Sequence, residues 1–224
     1  MMDNEGTDMP SDEMKSALRQ AFVLNEYLLR RAWGILYIVL AISMFLSTFG
    51  SPIIESLGFV SLLGAVAMDV TASGCGVIVI LWAFKRVRNT AEITHPNDQA
   101  LARLLAYRFL VPLWLSLNLL LILTISFARE LVPLVFLLIH FGLAVFLYYA
   151  LRLSFSKSIP AEGVIAIGSL SLSSIASIAL LSIVASPGPY ALLSGATIVA
   201  WIFSGVYART RPIPEFAEER TGLE

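Results

Sequence analysis

Hydrophobic positions along this chain come in six long blocks, at about 32–49, 57–84, 109–128, 131–151, 163–185 and 191–208. Polar residues are confined largely to short clusters between them. A helix needs about 20 mostly apolar residues to cross the hydrocarbon core of a bilayer, so each block predicts a transmembrane helix. The second block is long enough to tilt or to run past the interface. Turn-forming residues sit at the joints. Gly50-Ser51-Pro52 is expected to end the first span, Arg129-Glu130 with Pro133 to turn between the third and fourth, and Ser186-Pro187-Gly188-Pro189 to separate the fifth from the sixth.

Basic residues orient the spans. Lys15, Arg19, Arg30 and Arg31 precede the first, and Lys85, Arg86, Arg88, Arg103 and Arg108 lie between the second and third. Arg152 and Lys157 follow the fourth, and Arg209, Arg211 and Arg220 follow the sixth. The three opposite loops hold only Arg129, a bias of fourteen to one among the 15 basic residues. Lys and Arg accumulate on the cytoplasmic side, which predicts that both termini are cytoplasmic. Trp33, Tyr37, Trp82, Tyr107, Tyr148, Tyr149 and Tyr207 fall near the same interface and Tyr190 near the other, as an aromatic belt would place them.

The segments outside the blocks are small. Residues 1–10 are acidic and carry Gly and Pro, which suits a disordered tail. From Ser11, with Asp12 and Glu13 in the first turn, Met14, Leu18, Ala21, Phe22, Leu28 and Leu29 recur at helical spacing opposite Lys15, Arg19, Gln20, Glu26 and Arg30. This pattern predicts an amphipathic helix lying on the cytoplasmic leaflet. About 31 residues precede the first block and no small-residue cleavage site follows it, so that block is expected to remain as a span rather than be cleaved. After the second span a turn is expected at His95-Pro96-Asn97-Asp98, then a short basic helix running into the third, with a kink at Pro112. The organisation expected is therefore a tail plus cytoplasmic helix (1–31), a six-helix bundle (32–208) and a cytoplasmic tail (209–224), all α-helical. Each half has an odd number of spans, as an inverted repeat requires, but no residue-level similarity joins the halves.

Composition sharpens the class. Of 224 residues, 58% are hydrophobic and 14% charged, against about 25% charged in a soluble domain. A formal net charge of −1 gives no field that would attract nucleic acid. The partners expected are the lipid bilayer, other membrane subunits or a cytoplasmic protein. Cys75 is the single cysteine and lies in an apolar block, which leaves no disulfide framework or thiolate metal site.

The sequence carries no catalytic signature. Gly74-Cys75-Gly76 has no third glycine, no glycine precedes a lysine, and Gly168-Ser169-Leu170-Ser171-Leu172 fails as a nucleophile elbow at its last position. His95 and His140 are too far apart in sequence for a zincin motif, and the blocks hold a single central acid. No enzyme activity, cofactor or metal is expected.

Three polar residues stand out inside the blocks. Asp69 is central in the second, where a charge costs about 2.5–3.5 kcal/mol to insert. It is either a proton- or cation-responsive group or a packed polar contact, and Ser61, Ala65, Asp69 and Ser73 recur every four residues as a close-packing face would. Asn118 and His140 lie at about the same depth as Asp69, so the three are the candidate intramembrane cluster. Ser169, Ser173 and Ser177 in the fifth span, and Ala196, Ala200, Ser204 and Ala208 in the sixth, are expected to pack helices together. Glu55 and Glu130, in outer loops, are read as solvated. The function expected is a non-catalytic subunit or scaffold of a larger membrane complex, the alternative being a small permease subunit with Asp69 near a coupling site.

Overall fold

The computed structural model describes residues 12–56, 62–94, 131–155, 158–181 and 188–211, with a few positions between 112 and 124. Five described helices follow one another: α1 (Asp12–Ser56), α2 (Leu62–Thr94), α3 (Val132–Ser154), α4 (Ala161–Leu181) and α5 (Gly188–Thr210). Four of them hold a stretch long and apolar enough to cross a membrane: Val23–Leu46, Leu134–Ser154, Ala161–Ala179 and Pro189–Thr210. The chain is all-helical among its described residues and compatible with a membrane protein. Within α2 the described apolar stretch is shorter, Gly74–Lys85.

Helices α3, α4 and α5 match the fourth, fifth and sixth blocks to within a few residues. Pro133 sits in the first turn of α3, where its missing N–H would have had no helical partner. Pro160 precedes α4, and its carbonyl accepts the N–H groups of Gly163 at 2.9 Å and Val164 at 3.1 Å. Helix α2 is described as far as Thr94.

The first span departs from expectation at both ends. Helix α1 runs unbroken for 45 residues, through the sequence meant to lie on the leaflet and on through Gly50-Ser51-Pro52 to Ser56. A proline is tolerated within a membrane helix when its freed carbonyl finds another local donor. At the other end the apolar stretch begins at Val23 instead of residue 32, and Leu29 buries in the same core as Trp33 and Leu36. Glu26 pairs with Arg30 at 3.1 Å one turn away, which offsets both charges where the helix enters the bundle.

Neighbouring helices form a row in the order α2, α1, α5, α4, α3. Thus the first helix packs against both the second and the last. Residues of α1 supply much of the core, with Leu36, Tyr37 and Ala41 fully buried. Glycines set the closest approaches: a Cβ on Gly76 of α2 would stand 2.5 Å from Val39 Cγ1 of α1. Leu117, from the expected third span, packs against this core, and Thr124 Oγ1 donates to the Leu120 carbonyl at 2.8 Å. The rest of that span, the acidic tail, the turn at 95–98, the basic helix after it and nearly all of the C-terminal tail lie outside the described residues.

Candidate functional site

Of the expected cluster, only His140 can be followed to its side chain. Asn118 lies outside the described residues, as does the side chain of Asp69, whose backbone is part of α2. His140 is buried on α3. Its Nδ1–H donates to the Phe136 carbonyl one turn earlier at 2.9 Å, and its ring stacks on Phe136 at 3.8 Å. Phe136 in turn meets Tyr190 of α5 edge to face at 5.5 Å. With Nδ1 bound to Phe136, Nε2 is the ring's second polar atom, and it has no hydrogen-bond partner among the described residues. The described surroundings of His140 are aromatic.

The seam between α4 and α5 is polar at its centre. Ser173 and Thr197 share a hydrogen bond between their hydroxyls at 2.7 Å, and Trp201 Nε1–H donates to the Ala166 carbonyl at 3.1 Å. Ser173, Ser177, Ser204 and Ala208 are buried as the small-residue stripes anticipated, whereas Ala196 is exposed. The reason is geometric. Steps of four residues overshoot a turn by about 40° each, so a stripe with that spacing winds off the contact face. Thr197 and Trp201 take its place.

A second polar group gathers where α1, α4 and α5 meet, and it was not among the expected sites. Glu162, in the first turn of α4, is 1% exposed, and among the described residues neither carboxylate oxygen has a hydrogen-bond partner. The first-turn amides that could serve it, those of Gly163 and Val164, are bound to Pro160. Tyr37 of α1 is fully buried. Its hydroxyl lies 3.3 Å from where a Cβ on Gly163 would stand, an approach that only glycine leaves open. Trp33, one turn earlier on α1, is 1% exposed. Both Tyr37 Oη and Trp33 Nε1 lack a hydrogen-bond partner among the described residues.

Aromatic rings enclose the group. Tyr37 stands 6.2 Å from Trp33 and 6.4 Å from Trp201, and Trp33 meets Phe84 edge-on at 5.8 Å. Trp33 and Tyr37 were read as interfacial aromatics, and the fold places both in the core. Their burial follows from facing α5 and α2 on the same stripe of α1 as Leu29, Leu36 and Leu40. Trp82, Tyr148 and Tyr149 are exposed, as belt residues would be.

Buried polar groups are ordinarily satisfied, so one carboxylate, one phenol and one indole N–H left unpaired together mark a chemically competent place. It offers hard oxygen ligands, a carboxyl group and a phenol. Among the described residues no group of three His, Cys, Asp or Glu gathers to hold a metal of higher charge. One signal for it exists in the sequence: Glu26, Arg30, Trp33 and Tyr37 follow one another by four, three and four, which lays polar groups along a core-facing stripe. No protein-family model, curated protein or solved structure matches the chain.

Proposed function

We propose that this chain is a multi-pass protein of the cell membrane, with six spans and both termini in the cytoplasm, serving as a non-catalytic subunit or scaffold of a larger membrane complex. The fourteen-to-one distribution of basic residues supports the orientation. One observation carries the scaffold reading. Gly34 of α1 and Gly205 of α5 bring the first and last helices into backbone contact. A carrier that alternates access rocks one bundle against another, whereas helices clamped this closely suit a body that keeps its shape while partners dock. Those partners are other membrane subunits or a cytoplasmic protein, with lipid around them and no nucleic acid.

The test is composition in the native membrane. Extracted with its surrounding lipid and weighed intact by native mass spectrometry, the chain is expected in a complex with a second polypeptide at fixed stoichiometry. A single chain, or a homo-oligomer alone, would contradict the reading.

A permease subunit is the second reading, with Asp69 near a coupling or substrate site, and the buried carboxylate of Glu162 favours it. Purified chain in sealed liposomes separates the two. The scaffold reading expects no proton or cation flux above protein-free vesicles, and the permease reading expects flux that Asp69→Asn or Glu162→Gln removes.

A further inference from the structure

We propose that Glu162, Tyr37 and Trp33 form a binding site for a compact monovalent cation, of the alkali-metal class, at the junction of α1, α4 and α5. Charge is the first argument. An ionised carboxylate taken out of water costs several kcal/mol unless it is paired, and no hydrogen-bond donor among the described residues meets Glu162. The nearby start of α4 does not satisfy it, because the amides there are already bound to Pro160. Among the described basic groups, Arg30 is bound by Glu26 at 3.1 Å through its terminal nitrogen, and Arg152 and Arg209 are exposed.

Ligand type and size narrow the occupant. The carboxylate and the Tyr37 hydroxyl are hard oxygen donors, which suit alkali and alkaline-earth ions rather than soft metals. One carboxylate balances one positive charge, and a divalent ion would call for further acids. The indole N–H of Trp33 cannot ligate a cation. It can donate to a water on the ion, while the ring adds cation–π attraction. Trp33, Tyr37 and Glu162 are each exposed by 1% or less, so an occupant must be compact, an ion or a water rather than an organic amine.

The full-length protein in lipid nanodiscs provides the test, because Trp33 and Trp201 flank Tyr37 and their fluorescence reports on the site. Sodium chloride and potassium chloride are titrated separately at constant ionic strength, with choline chloride as the balancing salt, while fluorescence and the thermal midpoint are recorded. A saturable change is expected with at least one alkali ion and none with choline. Glu162→Gln is expected to abolish it. Tyr37→Phe keeps the ring and removes one oxygen ligand, and should raise the half-saturating concentration about tenfold, as loss of a charge-assisted contact does. A response identical in choline, or one that survives Glu162→Gln, overturns the site. Should Glu162→Gln not fold, an unchanged half-saturating concentration in folded Tyr37→Phe overturns it equally. None of these outcomes depends on whether the chain is a scaffold or a permease subunit.

Discussion

Gly34 and Gly205 touch through their backbones. A Cβ on Gly34 would stand 2.9 Å from the Gly205 carbonyl oxygen, and one on Gly205 would stand 2.7 Å from that of Gly34. Small residues allow membrane helices to approach until backbone dispersion contacts add up, since lipid tails compete with any larger apolar side chain. Here the contact joins the first described helix to the last, so a local change should be felt by the whole bundle.

Alanine at either glycine is therefore expected to destabilise the protein. Backbone must move to admit the methyl group, and overpacking of this kind costs about 1–3 kcal/mol. Gly74 has nothing within 4 Å of its Cβ position, so Gly74→Ala is the matched control and should be neutral or slightly stabilising. Thermal unfolding of the three variants in nanodiscs checks this. Equal midpoints for Gly34→Ala and Gly74→Ala would refute the close contact.

Ser173 and Thr197 should show a small, measurable coupling. Interhelical hydrogen bonds in membranes average about 0.6 kcal/mol and reach about 1.7 kcal/mol. A double-mutant cycle of Ser173→Ala and Thr197→Val is expected to return a coupling in that range. Trp201→Phe, which loses the bond to Ala166 and part of a buried ring, should cost more than either single change. Strict additivity of the first two would mean the hydroxyls do not interact.

Asp69 separates shape from charge. In the scaffold reading its carboxyl is a hydrogen-bonding head, so Asp69→Asn should insert and assemble like the wild type. Asp69→Leu should assemble poorly, since polar partners would be left unsatisfied where water cannot reach. Expression and complex assembly of the two variants are compared. A correctly inserted Asp69→Asn protein that has lost all physiological activity would favour the permease reading instead.

Four long apolar helices were legible because apolar runs are one-dimensional signals, and α3, α4 and α5 lie where their blocks put them. Helix ends were less so. Glu26 and Arg30 read as the polar face of a surface helix, yet their pairing lets α1 continue into the core. Neighbours were not legible at all. Trp33 and Tyr37 look the same in sequence whether an aromatic meets headgroups or another helix, and only the packing of α1 against α5 and α2 decides. Glu162 lies one residue before the apolar block at 163–185, where a solvated acid is the ordinary expectation. That its side chain turns inward depends on Tyr37 and Gly163 coming together, a contact between residues more than a hundred positions apart.

Topology underlies every other expectation, and cysteine accessibility measures it most directly. With Cys75 replaced by alanine, single cysteines at Asn89, Ser158 and Gly188 are exposed to a membrane-impermeant thiol reagent. Asn89 and Ser158 are exposed positions on the end predicted to be cytoplasmic, and Gly188 begins α5 at the opposite end. Labelling of Gly188→Cys in intact cells is expected, with Asn89→Cys and Ser158→Cys reacting only after permeabilisation. Reaction of Ser158→Cys in intact cells would contradict six spans with both termini inside.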